Sequence, residues 1–291
     1  MTNSTSIKTP GVPTKVGVLG GGRMGAGIAH AFLVSGAEVT VVERDTAAAA
    51  AARDRVTGTL AKAIERAAVT EDLGSLLGRF AISTDAMDFG GAGLVVEAVP
   101  EDFTLKQEAL LNVERSLGAD AWIATNTSSL SVTRLAAPLS RPERLCGLHF
   151  FNPVPASTLV EVVLGPQSAP ELADAATGWV RGLGKTPIVV HDAPGFASSR
   201  LGVALALEAM RMLEEGVASA QDIDAAMELG YRHASGPLRT TDIVGLDVRL
   251  GIAEYLHETL GERFAPPRIL RDMVARGELG RKSGKGFYDY S

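Results

Sequence analysis

Over the first two thirds of the chain, short runs of β-branched and aliphatic residues alternate with longer segments whose apolar positions recur every three or four residues. Eight such runs, at residues 15–19, 38–42, 80–83, 94–98, 121–125, 145–149, 159–163 and 186–190, predict strands. Most connections between them are long enough to hold a helix. That is the pattern of βαβ units and of a doubly wound, mainly parallel sheet. Residues 46–68 predict one long helix, with an alanine run followed by Leu60 and Ile64 at helical spacing and no internal proline. Beyond Pro194-Gly195 the strand pattern stops. Leu201, Leu205, Met210 and Leu213 sit at helical intervals and end at Gly216, a natural helix-terminating glycine. Ser219 with Asp222 predicts the capped start of a helix that stops at Gly230, and residues 241–260 and 267–277 keep the helical character. The fold class is therefore α/β. Residues 1–193 form the sheet domain, behind a flexible polar lead-in at 1–14, and residues 194–291 form a second, all-helical domain.

Composition narrows the partners. The 291 residues carry 28 Lys and Arg against 34 Asp and Glu, a net charge of −6, so bulk electrostatics recruits neither nucleic acid nor an anionic membrane. No window approaches the ~18 consecutive apolar residues of a membrane span. The polar start lacks the apolar core of a signal peptide. Cys146 is the single cysteine, which excludes an internal disulfide and fits a reducing compartment. A cytoplasmic protein is expected.

The first predicted strand runs directly into Gly20-Gly21-Gly22-Arg23-Met24-Gly25, a G-x-G-x-x-G sequence that opens a helix ending near Gly36. Gly20 allows the tight turn, Gly22 lets the backbone approach a pyrophosphate, and Gly25 lets helix and strand pack closely. The helix N-terminus offers N–H groups and the positive end of its dipole to phosphate. Glu43, at the end of the second strand, is placed to accept both hydroxyls of an adenosine ribose. Its charge would repel a 2′-phosphate, so NAD is expected over NADP, with Arg44 as the competing signal.

Nicotinamide chemistry on an alcohol needs a proton acceptor, and histidine titrates nearest neutral pH. His30, His191, His233 and His257 have no context that sets them apart from packing or surface residues. His149 does, because it ends a strand and enters Phe150-Phe151-Asn152-Pro153 at the carboxyl edge of the sheet, where such folds bind ligands. Twelve residues on, Glu161 stands in the apolar run Leu159-Val160-Glu161-Val162-Val163. A carboxylate among β-branched neighbours is costly without a partner, and a facing imidazole would serve. Cys146, mid-strand with no cation beside it, reads as a small buried hydrophobe rather than a nucleophile.

These residues, together with Met24-Gly25-Ala26-Gly27, Val95-Val96-Glu97-Ala98, Asn126-Thr127-Ser128-Ser129, Val244-Gly245-Leu246-Asp247 and the terminal stretch 280–290, resemble the short-chain L-3-hydroxyacyl-CoA dehydrogenases, most closely the bacterial 3-hydroxybutyryl-CoA dehydrogenases. The resemblance covers nearly the whole chain. It implies a Rossmann-type NAD domain, a helical domain that mediates homodimerisation, and an active site between them. It places the catalytic histidine at His149, its partner at Glu161 and the substrate-oxygen ligand at Ser128. Cofactor contacts fall on Gly20, Gly22, Gly25, Glu43, Glu101, Lys106 and Asn152, and a lysine for the CoA moiety falls on Lys62. Read from residue type alone, Ser128 could equally cap a helix near Ser131, and Glu101, Lys106 and Lys62 could be solvated helix faces.

Three departures bear on the substrate. Ser199 stands where the family has an active-site asparagine. Arg66-Ala67-Ala68 replaces a more basic stretch, and the loop at 232–237 lacks the family's Pro-Met. The expected activity is NAD-dependent interconversion of (S)-3-hydroxyacyl-CoA and 3-ketoacyl-CoA. The alternatives are the same chemistry on an acyl-carrier-protein thioester, as in polyketide extender-unit synthesis, or a non-catalytic dinucleotide-binding protein.

Overall fold

A computed structural model describes residues 11–290. The first ten residues of the expected lead-in, and Ser291, lie outside the described residues. The last part of that lead-in is packed rather than flexible. Val12 fills the space beside Gly182, Pro13 covers Gly93, and the Thr14 carbonyl accepts the Glu38 N–H at 2.8 Å.

The chain divides into two compact units at Asp192/Ala193. In the first, β1 (Lys15–Leu19), β2 (Glu38–Val42), β3 (Phe80–Ser83), β4 (Leu94–Glu97), β5 (Trp122–Thr125), β6 (Leu145–Phe150), β7 (Leu159–Leu164) and β8 (Thr186–His191) form one sheet in the order β3-β2-β1-β4-β5-β6-β7-β8. Every neighbouring pair is parallel except β6 and β7. Helices α1 (Arg23–Val34), α2 (Thr46–Glu65), α3 (Leu73–Gly78), α4 (Phe103–Ser116), α5 (Val132–Ala136) and α6 (Pro170–Gly182) connect the strands. The core is aliphatic on both sheet faces. Val18, Val41, Leu94 and Val96 are fully buried against Ile28, Phe32, Val56 and Leu60 of α1 and α2, each side chain contributing roughly 1.5–3 kcal/mol of transfer free energy. The alanine run has a packing reason, because the Ala52 methyl lies 2.4 Å from where a Cβ on Gly21 would sit. Helix α2 ends at Glu65, earlier than expected. Arg66 caps it and Ala67 takes a left-handed conformation at φ +55°, a place that glycine fills more cheaply.

The second unit is helical: α7 (Ser198–Glu214), α8 (Ala220–Tyr231), α9 (Pro237–Val244), α10 (Leu246–Leu260) and α11 (Arg268–Ala275). The Ser219 hydroxyl caps α8 by accepting the Asp222 N–H. The segment 241–260 is not one helix, since Gly245, at φ +106°, separates α9 from α10. The C-terminal motif is a structural clasp. Asp242 accepts the N–H groups of Phe287 and Tyr288 at 2.9 Å each, and the bare backbone of Gly286 is what lets the carboxylate in.

Candidate active site

Six strands of the first unit end at one edge of the sheet, and the residues just beyond five of them carry the chemistry. After β1 the chain turns at Gly20 (φ +91°), whose N–H bonds the Val42 carbonyl at 2.8 Å, while a Cβ there would meet Ala98 backbone. A Cβ on Gly25 would stand 1.7 Å from the Gly20 carbonyl oxygen, so this glycine sets how closely α1 approaches β1. Gly22 differs: it is the N-cap of α1, no side chain satisfies the first-turn N–H groups, and nothing lies within 4 Å of its missing Cβ. A bare helix N-terminus beside open space, at the point where strand order reverses between β2 and β4, is a fitting cradle for a pyrophosphate.

Glu43 follows β2. One carboxylate oxygen accepts the Gly21 N–H at 2.7 Å and the other the Arg44 N–H at 3.2 Å, so the acid is tied to the glycine loop. Arg44 turns outward to the Asp45 carboxylate at 3.0 Å, its side chain 85% exposed. Arg55 of α2 reaches the Gly21 carbonyl.

Beyond β4 and β5 lies a network that residue types alone had not assembled. Lys106 is 1% exposed, not a solvated helix face. Its ammonium donates to Glu97 Oε1 at 2.8 Å and to the Val99 carbonyl at 3.1 Å, and stands 3.4 Å from Glu101 Oε2. Thr125 donates its hydroxyl proton to the other Glu97 oxygen at 2.6 Å. Burial pushes the Glu97 carboxyl up, against the pull of Lys106. Burial also raises Glu101, but Lys106 and the surrounding hydroxyl and amide donors outweigh it and hold that carboxyl below its usual range. Glu101 Oε1 in turn accepts the Thr127 hydroxyl, the Ser128 N–H and the Ser128 hydroxyl at 2.6, 2.8 and 3.1 Å. Ser128 is therefore held by Glu101, and the cap of α5 is Ser131 instead. Glu97 carried the same signal as Glu161, an acid inside an apolar strand, and could have been found by it.

His149 and Glu161 face each other directly across the β6–β7 ladder, with Nδ1 2.7 Å from Oε2 and both side chains buried. Because β7 runs antiparallel to β6, its first residues lie beside the last residues of β6. The Phe151 ring packs on the imidazole, centroids 4.5 Å apart. Asn126 accepts the Phe150 N–H at 2.9 Å and so couples the Ser128 loop to the end of β6. Asn152 is exposed in the following turn, which contains the cis Asn152-Pro153 bond. Lys62 lies exposed in the last turn of α2. Ser199 belongs to the second unit, half-buried in the first turn of α7. Burial pushes the Cys146 thiol up to about 12, which makes it inert as a nucleophile. Among the described residues there is no cluster of three or more potential metal ligands and no helix long and apolar enough to cross a membrane.

A doubly wound sheet with a bare glycine-rich helix start, an acid after the second strand and a histidine–carboxylate pair at the carboxyl edge defines a nucleotide-dependent dehydrogenase. Residues 15–193 match the family model described as 3-hydroxyacyl-CoA dehydrogenase, NAD binding domain, and residues 195–290 match the model of that family's C-terminal domain. A probable 3-hydroxybutyryl-CoA dehydrogenase of Deinococcus radiodurans is 40% identical over 95% of this chain and all of its own length. A 3-hydroxybutyryl-CoA dehydrogenase of Mycobacterium tuberculosis is also 40% identical, over 95% of this chain and 98% of its own. The solved structure of (S)-3-hydroxybutyryl-CoA dehydrogenase from Ralstonia eutropha superposes with a TM-score of 0.91 at 40% identity, covering 96% of this chain and 99% of that one. The chain belongs to the 3-hydroxyacyl-CoA dehydrogenase family and is an NAD-dependent dehydrogenase.

Proposed function

We propose that the protein interconverts (S)-3-hydroxyacyl-CoA and 3-ketoacyl-CoA, with a short acyl group of the 3-hydroxybutyryl kind, and that His149 is the proton acceptor. The observation that carries this reading is the 2.7 Å pairing of His149 with Glu161 in direct register across β6 and β7. Glu161 fixes the ring through Nδ1 and stabilises the imidazolium as it forms, so Nε2 exchanges the proton with the substrate hydroxyl. Ser128, oriented by Glu101, holds the substrate oxygen. Gly20, Gly22 and Gly25 shape the seat for the pyrophosphate, and Glu43 holds the adenosine ribose. Glu101, Lys106 and Asn152 complete the nucleotide contacts, with Lys106 acting from inside the network by fixing Glu97 and Glu101. When bound, NAD supplies the acceptor for the hydride from C3. Ser199 is a further active-site residue, in the position of the family's asparagine, and Lys62 takes part of the charge of CoA.

One observation favours the carrier-protein reading. Of the cations along α2, Arg55 is engaged with Gly21 and Arg53 lies over the Phe80 ring, which leaves Lys62, with Arg66 just beyond the helix, for the phosphates of CoA. The test is NADH formation from one 3-hydroxybutyryl group presented in parallel on CoA and on an acyl carrier protein. Equal or faster turnover on CoA is expected. A rate at least tenfold higher on the carrier protein would transfer the assignment to that substrate, and no turnover on either would leave a non-catalytic nucleotide-binding protein.

A further inference from the structure

The connection between β6 and β7 carries Phe151 against the His149 ring, then Asn152, then a turn closed by a cation. That cation is Lys185, a residue to which the reaction has so far given no part. Its ammonium donates to the Val154 carbonyl at 2.6 Å and to the Ser157 carbonyl at 2.5 Å. The side chain is half-buried, and burial lowers the group from its ordinary value. Lysine normally keeps its strongly hydrated charge in water. An ammonium committed to two main-chain carbonyls of one short turn marks that turn as a segment to be held.

Backbone geometry delivers the lysine there. Gly184, at φ +70°, turns the chain out of α6 in the left-handed conformation that glycine adopts freely, and two residues later β8 begins. The Thr186 N–H donates to the Thr158 carbonyl at 2.6 Å and pins the base of the lysine against the end of the turn. Inside the turn, the Ala156 and Ser157 N–H groups both donate to the Pro153 carbonyl at 3.0 Å. The carbonyls of residues 153, 154 and 157 are thus all engaged, and Asn152 stands exposed at the entrance.

The turn also rests on α1. Val154 is 2% exposed, and its Cβ lies 2.8 Å from where a Cβ on Gly27 would sit, so the glycine lets the turn close on the helix. His30, three residues further along α1, is lowered to about 4 by burial and then by the Lys185 charge, which places the ammonium near the same junction. The turn therefore touches the helix whose N-terminus seats the nucleotide and joins the strands that carry His149 and Glu161.

We propose that Lys185 is a positioning residue for the reaction: by tying the Val154 and Ser157 carbonyls together, it holds Asn152 where it meets the nucleotide. It acts through the turn, not on the reacting atoms. The inference rests on the reading that Asn152 contacts the nucleotide.

The test is a double-mutant cycle on NADH affinity, measured on the full chain for Lys185→Met, Asn152→Ala and the two combined. Lys185→Met should weaken NADH about three- to tenfold, the worth of one neutral hydrogen bond. KM for NAD should rise by a similar factor and carry most of the loss in kcat/KM. The double variant should bind no more weakly than Asn152→Ala alone. Lys185→Gln, which keeps an N–H donor without the charge, should fall between, and it carries the same cycle if the methionine variant does not fold. A lowered Tm with NADH affinity within twofold would make the lysine a purely structural staple and overturn the proposal. A double variant that sums the two losses also overturns it. Undiminished affinity in Asn152→Ala removes the premise, and is read separately from the Lys185 arms. Because Kd is read without turnover, inactivity on the hydroxyacyl thioester would fail the assigned reaction while the cycle still decides on Lys185.

Discussion

His30 shows how burial decides what a histidine can do. It lies in α1 at 6% exposure, and neither ring nitrogen has a partner. Burial first, then the Lys185 ammonium, lowers it to about 4. The unfolded chain therefore binds a proton near pH 6.5 that the folded chain refuses until about pH 4. Stability from this residue is complete above pH 6.5 and is lost as pH falls through that window, by up to ~3 kcal/mol. Thermal melts should show Tm declining between pH 6.5 and 4, and His30→Leu should flatten that limb. An unchanged slope in the variant would contradict the assignment. His30 was indistinguishable in the sequence from a surface histidine, because its unpartnered burial depends on the helices packed round it. The His149–Glu161 pair was legible, because a period-two apolar strand declares when an acid has been placed on a buried position. The burial of Lys106 is not legible for the opposite reason: it comes from Glu97 and Glu101, which only the folded β4–α4 connection brings to it.

At the scale of elements, all eight strands were readable, with ends within one residue of those found, because short β-branched runs between turn residues have few alternative uses. The antiparallel direction of β7 was not read, although the β6–β7 connection at residues 151–158 is too short for a parallel crossover. The break at Gly245 was missed as well, since apolar periodicity continues across it and only the positive φ marks the new helix. The glycine loop yields a test that separates packing from binding. Nothing surrounds the missing Cβ of Gly22, whereas that of Gly25 would strike the Gly20 carbonyl. Gly22→Ala should therefore fold with a stability change under about 0.5 kcal/mol and lose NADH affinity at least tenfold in a fluorescence titration. Gly25→Ala should lose both. Unchanged NADH affinity in Gly22→Ala would remove the pyrophosphate from this helix start.

For the whole molecule, the two domains were legible because the chain changes texture at Pro194-Gly195, one residue beyond the start of the second unit. Assembly was implied only by resemblance. The helical unit leaves large apolar side chains in water, among them Leu229 at 83%, Tyr231 at 75% and Leu201 at 71%, as a homodimer surface would. Light scattering should give twice the chain mass at micromolar concentration, and Leu229→Glu should shift the protein toward monomer. A monomer in the unmodified protein would refute the dimer. The central claim, that the carboxyl edge of the sheet performs hydride chemistry with His149 as its base, has a more direct test. NADH formation from (S)-3-hydroxybutyryl-CoA is followed for the unmodified chain and for His149→Ala, with NADH affinity measured on both. The account predicts a 10²- to 10⁴-fold fall in kcat at nearly constant affinity, and near-normal turnover in the variant would contradict it.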